Sequence, residues 1–445
     1  MITLFDRFNA AARDLYYSLE ASGLLGSSSI VLEEDGGLPA GVTSPYAFFC
    51  GMEEGEGEPL YFNEVPLPAF WQITGTNTQG AIYNDSTKQA TIHYHEPKHL
   101  RLVQTVEWLT PSQEVYRQDH YNQYGWMFAR TYFNAEGQAV SKHYYQASGE
   151  EVLVENLQTG YHLLNWRGKV YPFAKRTDFY LFYLREAQVD LSAIWYTSLS
   201  SPFVLSYYLG GDGQDVLFWQ EKIGQEIPGN MRLILSGSAK RTKKIVVQDK
   251  ESYEKLLQLV SDEEASMISY LGYLYPRHSE NAQTKEILIL TNSDQLEGMA
   301  VLVKELSDYQ FHIAALTEMS PRLKAYEEEA HVTLYPNIAP RQVADLFEKC
   351  SIYLDINHGS EILSGTRQAF EHNLLIAGFE NTVHDQRFVL DEALFSPDAA
   401  SHLAAWLRGE EIQSRVSRQR LESEEATEAA YQALLGEEGQ YVQAE

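Results

Sequence analysis

Short apolar blocks alternate with amphipathic helix patterns from residue 285 onward. The blocks are Glu286–Leu290, Phe311–Leu316, Val332–Tyr335, Ser351–Ile356 and Leu374–Gly378. Continuous apolar blocks of this kind are typical of parallel strands that are buried on both faces of a sheet. The pattern therefore predicts an α/β domain with a parallel sheet in this part of the chain. A charged helical pattern from Glu410 to Leu435 follows and predicts a long helical tail.

A second α/β pattern occupies two separate stretches nearer the start of the chain. Residues 5–22 show helical spacing of Phe5, Phe8, Ala12, Leu15 and Leu19, which predicts one helix. Further segments are predicted as strands at Ile30–Leu32, Ser192–Tyr196, Asp215–Trp219 and Lys244–Gln248, and as helices at Asp178–Val189 and Asp249–Val260.

Residues 61–174 have a different character, with period-two segments rich in Tyr, Phe, Trp, Thr and Val between turn-forming clusters. This pattern predicts an antiparallel meander of consecutive hairpins. Because α/β patterns flank it, we interpret it as an insertion into the first α/β domain. The predicted organisation is 1–60 and 175–276 for the two parts of that domain, 61–174 for the insertion, and 277–445 for the second domain with its tail. Removal of the insertion should leave the flanking parts foldable if the junctions near 60 and 175 lie close together.

Charge and cysteine content restrict the function classes. The 34 basic and 62 acidic residues give a formal charge of −28, which opposes bulk electrostatic binding to nucleic acid or anionic lipid. Cys50 and Cys350 lie far apart beside apolar segments, which favours two buried thiols in a reducing cytosol. The start of the chain lacks signal-peptide character, and no apolar run approaches the ~20 residues of a membrane helix. We therefore expect a cytoplasmic protein, with membrane association only peripheral or through a partner.

Several strings of residues point to a family. They are Ser44–Cys50, His93–Pro97, Tyr124–Phe133, Ser206–Gly211, Leu290–Asp294 and Tyr353–Gly359. Over essentially its whole length the chain resembles the glycosyltransferase-stabilising protein of serine-rich-repeat adhesins, from the accessory Sec system of Gram-positive cocci. The resemblance implies a GT-B-like α/β fold, with two Rossmann-type domains and an inserted antiparallel β-meander domain.

The resemblance also implies a division of labour. A separate catalytic glycosyltransferase subunit transfers N-acetylglucosamine from its UDP sugar to Ser and Thr of the adhesin. The accessory subunit stabilises that enzyme, binds the Ser/Thr-rich adhesin polypeptide and needs no cofactor.

The resemblance further implies a degenerate donor crevice. Active retaining enzymes of this kind carry two glutamates eight positions apart after the fourth strand of the second domain. Counted back from the Leu374–Gly378 block, the equivalent positions here hold Ser360 and Gln368, and His358 lies in the same turn. This departure predicts that the chain is not an enzyme. The alternative is an active retaining GT-B transferase with divergent donor-site residues.

The loop after the first strand of the second domain supports the same prediction. Enzymes of this fold commonly place an Arg and a Lys there to hold the donor diphosphate. Here residues 291–297, which include Asn292, contain two acids and no base. Asp294 and Glu297 have the spacing of a capping box, so we expect them to cap a helix.

A group of hydrogen-bonding aromatic residues in the meander is the candidate for acceptor or partner binding. We expect its members to share one polar face of the sheet. They are His93, His95, His120, Tyr121, Tyr124 and Trp126. A zinc site formed with His99 is disfavoured, because Pro97 interrupts the strand and structural zinc needs four clustered ligands. We therefore predict no metal.

Overall fold

The computed structural model of the chain describes residues 1–436. The strands are β1 (Ile2–Phe5), β2 (Ser28–Val31), β3 (Val42–Thr43), β4 (Gln72–Gly75), β5 (Gln79–Asn84), β6 (Thr87–Tyr94), β7 (Val103–Leu109), β8 (Val115–Tyr121), β9 (Met127–Phe133), β10 (Ala139–Tyr145), β11 (Glu151–Asn156), β12 (His162–Trp166), β13 (Lys169–Phe173), β14 (Ile194–Tyr196), β15 (Asp215–Trp219), β16 (Thr242–Val247), β17 (Ile268–Tyr270), β18 (Glu286–Leu290), β19 (Gln310–Ala314), β20 (Val332–Tyr335), β21 (Ile352–Asp355), β22 (Leu375–Phe379) and β23 (Leu394–Phe395).

The α-helices are α1 (Ala10–Ala21), α2 (Pro45–Cys50), α3 (Arg176–Glu186), α4 (Ser201–Leu209), α5 (Gly229–Leu235), α6 (Lys250–Leu257), α7 (Asp262–Ala265), α8 (Met299–Glu305), α9 (Pro321–Lys324), α10 (Pro340–Lys349), α11 (Gly365–Glu371), α12 (Ala400–Leu407), α13 (Ile412–Glu422) and α14 (Glu428–Leu435). Short 3-10 helices lie at Phe62–Glu64, Lys98–Leu100, Ala325–Glu328, Gln386–Phe388 and Asp391–Ala393.

The first parallel sheet combines strands from before and after the meander. Its described strands lie in the order β3-β2-β1-β14-β15-β16-β17, and each neighbouring pair is parallel. If the meander strands are left out of the count, this is the 3-2-1-4-5-6 order of a Rossmann-type domain with one added strand. The meander is therefore inserted between the third and fourth strands of this sheet.

The meander is an antiparallel sheet in which β4 to β13 pair strictly in chain order. Its two ends have different cores. Near β9 to β12, the buried side chains of Phe128, Tyr144 and Leu153 share one core with α2, α3 and the first parallel sheet. Near β5 to β8, a separate core forms around residues such as Ile92 and Val106. Only the second end is packed independently of the α/β domain.

The second parallel sheet has the described order β20-β19-β18-β21-β22-β23, again the Rossmann order. Its central strands are buried on both faces; Ile287, Leu288 and Ile289, for example, have no exposed surface. Together with α8 to α13 this sheet forms a compact unit, Tyr273–Glu428, whereas Met1–Gly272 and the segment beginning at Ala429 form another. The predicted fold class is confirmed: two Rossmann-type domains with an inserted antiparallel meander.

Local sequence accounts for individual helix ends. Ser44 accepts a hydrogen bond from the N–H of Ala47 at 2.8 Å, and Pro45 occupies the first turn of α2, where a missing N–H costs nothing. Gly51 ends α2 in the left-handed region with φ +70°, which glycine adopts without strain. The helix is thus delimited by the string Ser-Pro at one end and Gly at the other.

The predicted helix over residues 5–22 is wrong at its start. Residues 2–5 form the buried strand β1, and α1 begins only after Asn9, whose Oδ1 accepts from the N–H of Ala12 at 3.0 Å. Phe5 happened to continue the helical spacing of Leu15 and Leu19, although it belongs to a different element. The predicted helix over 178–189 likewise lies earlier, at Arg176–Glu186.

The predicted tail helix is two helices. Ser423 ends α13, and Glu424 takes the left-handed conformation with φ +60° before α14 begins. Gln419 of α13 docks on the sheet, since its side chain accepts from the N–H of Ile376 at 2.9 Å and donates to the carbonyl of Leu374 at 3.0 Å. Residues 437–445, within the predicted second domain, lie outside the described residues.

Cys50 and Cys350 are both buried free thiols, as predicted, and burial raises the pKa of each. Within the described part of the chain, no helix combines the length and the apolar character needed to cross a bilayer.

Candidate functional site

The second sheet reverses its strand order between β18 and β21, which are neighbours although two strands separate them in sequence. In open α/β sheets ligands bind at such a switch point, outside the carboxyl ends of the strands. Residues 291–297 follow β18, and residues 356–361 follow β21. The structure therefore brings the predicted residues Asn292, His358 and Ser360 together at this point.

The amide groups at the switch point are hydrogen-bonded to each other. Asn292 Nδ2 donates to Ser360 Oγ at 2.8 Å, and Asn357 Nδ2 donates to Asn292 Oδ1 at 3.2 Å. Asn357 Oδ1 accepts from Thr291 Oγ1 at 2.9 Å and from the N–H of Gly359 at 3.0 Å. A Cβ on Gly359 would lie 1.8 Å from Asn292 Oδ1, so the Asn292 amide covers the glycine backbone. The chain's own side chains occupy the place where a ligand would approach this turn.

The exposed imidazole of the turn is paired with an acid. His358 Nε2 lies 2.8 Å from Glu297 Oε2, and Asn381 Nδ2 donates to the same oxygen at 3.0 Å. Burial alone would raise the pKa of Glu297, but the hydrogen bonds from Asn381 and His358 hold it below its ordinary value. Our prediction that Glu297 and Asp294 cap a helix is wrong. The helix α8 begins after Gly298, which takes the left-handed conformation, and no side chain caps it.

A second imidazole, not predicted from the sequence, is held beneath the turn. His384 Nδ1 lies 2.7 Å from Asp355 Oδ1, and its Nε2 lies 2.9 Å from the carbonyl oxygen of Gly359. The hydrogen bond to Asp355 raises the pKa of His384 to about 9. Both ring nitrogens then donate, and the charge of the imidazolium is neutralised by the buried carboxylate.

Acidic side chains also line the neighbouring cavity of about 180 Å³ beyond β18 and β19. Asp294 and Glu318 contribute to its wall, and none of the described lining residues is a lysine or arginine. Gln368, the other predicted position, is half-buried on α11. The arrangement as a whole offers neutral amides and paired or acidic groups, whereas a diphosphate requires free cations or helix amides.

The six candidate residues of the meander do not share one surface, contrary to our expectation. His93 and His120 lie on the same face, but His120 is half-buried and bonded to Thr131 Oγ1 at 2.9 Å. Tyr121 points to the opposite face, where it is 7% exposed. His95 follows the end of β6, and Tyr124 and Trp126 lie in the turn between β8 and β9.

His93 lies on an open polar part of the sheet. Its Nε2 is 2.9 Å from Glu107 Oε2, and the Gln118 amide donates to Glu107 Oε1 and Thr105 Oγ1 at 3.3 Å each. Tyr124 instead lines a separate cavity between the meander and the first α/β domain. Among the described residues, no three His, Cys, Asp or Glu side chains are placed to share a metal ion.

Comparison with known proteins decides the family. A Streptococcus parasanguinis protein named "UDP-N-acetylglucosamine--peptide N-acetylglucosaminyltransferase stabilizing protein GtfB" is 52% identical over 407 residues, 92% of either chain. This chain belongs to the GtfB family. Four GtfB-related domain families match along it: the N-terminal domain at 2–49, the middle domain at 71–174, the third domain at 176–259 and the GftB/GlyA-F C-terminal domain at 287–424.

Other GtfB proteins agree over nearly the full length. The Streptococcus agalactiae protein of the same name is 45% identical over 438 residues, 98% of this chain and 99% of its own. A solved chain from a GtfA/B complex bound to UDP and GlcNAc superimposes with a TM-score of 0.92 at 40% identity, covering 98% of this chain and 99% of that one. The family resemblance inferred from the sequence is confirmed.

Proposed function

We propose that the chain is a non-catalytic subunit that stabilises a UDP-GlcNAc:protein O-GlcNAc transferase and binds the Ser/Thr-rich adhesin polypeptide that this enzyme glycosylates. Relatives of high identity are named as stabilising proteins of such a transferase. A structurally similar chain belongs to a GtfA/B complex. The catalytic partner is thus a glycosyltransferase subunit.

One observation carries the non-catalytic part of the proposal: the polar groups of the switch point are bonded to one another. A retaining transferase must stabilise a departing diphosphate, and this requires charge that is available to the substrate. Here His358 is paired with Glu297, and His384 is paired with Asp355. Ser360 and Gln368 replace the expected glutamates with neutral groups.

The purified chain alone should therefore transfer no N-acetylglucosamine from UDP-GlcNAc to a Ser/Thr-rich peptide. Addition of the chain to the catalytic subunit should lengthen the half-life of transferase activity at a fixed temperature. Transfer of radiolabel from UDP-GlcNAc measures both properties: by the isolated chain for the first, and by the catalytic subunit incubated with and without the chain for the second. Turnover by the isolated chain that is lost in Gln368→Ala or His358→Ala would establish the alternative, an active retaining transferase with divergent donor-site residues.

Acceptor binding should depend on repetition. A flexible polypeptide loses conformational entropy when it binds, so each local contact is weak and repeated contacts supply affinity. The polar face around His93 and the turn that carries Tyr124 and Trp126 are the candidate contact surfaces. A long unmodified repeat peptide should bind at least tenfold more tightly than a single repeat in calorimetric titration. Equal affinity of the two peptides, or binding of neither, would refute this part of the proposal.

We propose a cytoplasmic location, with membrane association only through a partner. The formal charge of −28 repels anionic lipid, and both thiols are free and buried, as in a reducing compartment.

A further inference from the structure

A buried carboxyl group holds two segments of the first α/β domain that contact the meander. Glu34 follows β2 and is 8% exposed. Its Oε1 accepts from the N–H of Gly36 at 2.8 Å, and its Oε2 accepts from Ser44 Oγ at 2.5 Å. Ser44 Oγ in turn accepts from the N–H of Ala47, the bond that caps α2. One side chain therefore holds both the loop after β2 and the start of α2.

Both of these segments pack on the meander. The carbonyl oxygen of Gly36 accepts from the N–H of Gln123 at 2.7 Å. A Cβ on Gly36 would lie 2.5 Å from the carbonyl oxygen of Tyr121, so the loop touches the backbone at the end of β8. In α2, the ring of Tyr46 stacks on that of Tyr144 of β10, with the ring centroids 4.4 Å apart. Loss of the contacts of the carboxyl group would therefore weaken the packing of the meander at two places.

The surroundings of Glu34 offer little compensation for a negative charge. Among the described residues, no cation lies within 4 Å of its carboxyl group. The titratable groups that face it are Lys142 on β10, Cys50 on α2 and Asp35 on its own loop. Lys142 attracts a carboxylate there only at longer range, Asp35 repels it, and the buried Cys50 thiol is uncharged, since burial raises its pKa. Burial raises the pKa of Glu34 from 4.5 to about 7, despite the two hydrogen bonds that it accepts.

We propose that Glu34 is a pH-sensitive switch at the contact between the first α/β domain and the meander. In the protonated form the carboxyl group donates to Ser44 Oγ and still accepts from Gly36, so both segments stay in place without a buried charge. In the ionised form the carboxylate gains hydration when residues 34–36 separate from the end of β8. Ionisation therefore favours opening of this contact. The switch goes beyond the proposed function, because it requires neither the catalytic subunit nor an acceptor.

The direction of the pH effect follows from the higher pKa of Glu34 in the folded chain. The stabilising effect of the protonated group is complete below pH 4.5, the ordinary pKa of this carboxyl group, and is lost as the pH rises through about 7. Between pH 5.5 and pH 8.5, the two pKa values correspond to an increase of about 30-fold in the equilibrium constant of unfolding.

Urea denaturation and hydrogen exchange of the full chain at pH 5.5 and pH 8.5 test the switch. Glu34→Gln keeps the shape of the side chain and one acceptor oxygen but cannot ionise. The unfolding constant of the parent chain, divided by that of Glu34→Gln, should therefore rise about 30-fold between the two pH values. Hydrogen exchange, corrected for the intrinsic effect of pH, should show more frequent opening of residues 34–47 and 121–128 at pH 8.5 in the parent chain. Glu34→Gln should show no such change.

Glu53→Gln is the matched control. Glu53 follows α2 and accepts from Thr43 Oγ1, but it is exposed. The same change of a carboxylate to an amide should leave both pH effects as they are in the parent chain. Asp35→Asn replaces Glu34→Gln if the latter does not fold. Asp35 is exposed, and loss of its negative charge should move the midpoint of the exchange transition at residues 34–47 to lower pH.

Three results would overturn the proposal. The first is a ratio of unfolding constants that stays constant or falls as the pH rises, because an ionised Glu34 would then not weaken the fold. The second is exchange at residues 34–47 that is the same at both pH values in the parent chain, or that changes equally in Glu34→Gln. The third is a transition whose midpoint is unmoved in Asp35→Asn.

Discussion

Asp355 at the carboxyl end of β21 is 1% exposed, and three hydrogen bonds hold its carboxylate. Its Oδ2 accepts from the backbone N–H of His384 at 2.7 Å and from Thr366 Oγ1 at 3.0 Å, and its Oδ1 meets His384 Nδ1. In open α/β sheets, a polar side chain at the carboxyl end of a strand commonly contacts a ligand. Here the carboxylate and the imidazolium stabilise the turn at Gly359 instead.

The His384 pair predicts a pH-dependent stability. The pKa of His384 is raised from 6.5 to about 9, so its contribution is fully present below pH 6.5 and is lost as the pH rises through about 9. His384→Gln should lower the free energy of unfolding by about 2 kcal/mol at pH 6, because it leaves a buried carboxylate without its cation. The loss should shrink by pH 10. Urea denaturation at both pH values measures it.

His331→Gln is a suitable control, since the His331 ring bonds the carbonyl of Val303 at 2.9 Å rather than a carboxylate. A pH-independent loss for His384→Gln would show that the imidazole is neutral in the folded protein.

Sequence reasoning located part of this site. Asn292, His358 and Ser360 could be placed because they directly follow strands whose apolar blocks are unmistakable. His384 could not be placed from the sequence. It follows β22 in the chain, and only the folded sheet brings it next to Asp355 at the end of β21. The charged Asp355 inside the block Ser351–Ile356 was the available signal, since an acid in a buried strand requires a partner.

At the scale of secondary-structure elements, strands that are buried on both faces of a sheet are the easiest to predict from the sequence. Five of the six described strands of the second sheet were predicted to within one or two residues, because each is a continuous apolar block between helices. The sixth, β23, has only two residues and was not predicted. The start of α1 was not, because β1 is only four residues long and precedes it closely. The meander strands alternate apolar and polar residues, and the sequence predicted them only as a region. Their division between two cores was not predicted, because it depends on which face of the sheet meets the α/β domain.

The contact between residues 55–57 and the turn at 122–126 leads to a prediction about packing. Gly55→Ala should lower the free energy of unfolding by about 1–3 kcal/mol, because the new methyl group would overlap the Tyr124 ring. Gly224→Ala is the control, since a Cβ there meets nothing within 4 Å, and it should be neutral or slightly stabilising. Thermal unfolding of both variants compares them. Equal stability of the two variants would mean that residues 55–57 move aside without a cost in free energy.

At the scale of the whole molecule, we propose domain boundaries near residues 60, 174 and 276. The core that the meander shares with the first α/β domain changes the result expected from deletion of the meander. The sequence suggested that the flanking α/β parts would fold without residues 61–174 if the junctions near 60 and 175 lie close together. The structure argues against this, because Phe128, Tyr144 and Leu153 belong to the core of the first α/β domain. We expect the deletion variant to aggregate, as judged by size-exclusion chromatography. A soluble, cooperatively unfolding variant would show that α2 and α3 can repack alone.

We further propose that the catalytic subunit docks on the meander, and the outer edge of the meander offers a sharper test of this than deletion of the whole insertion. Phe70 precedes the edge strand β4, is 95% exposed and has φ +71°, a conformation that costs a phenylalanine about 1–2 kcal/mol. An exposed aromatic side chain held in a strained turn beside an unpaired edge suits an interface anchor. We therefore expect Phe70→Gly to weaken affinity for the catalytic subunit about tenfold or more.

The same variant should leave the free energy of unfolding unchanged or slightly higher, because glycine relieves the strain while adding entropy to the unfolded chain. Gln113→Gly is the matched control, since exposed Gln113 also has a left-handed φ of +66° in a turn of the meander. It makes the same backbone change without removing an aromatic ring, so its affinity should equal that of the parent chain. Surface plasmon resonance with immobilised catalytic subunit measures all three proteins. Full affinity of Phe70→Gly would refute docking of the catalytic subunit through this edge of the meander.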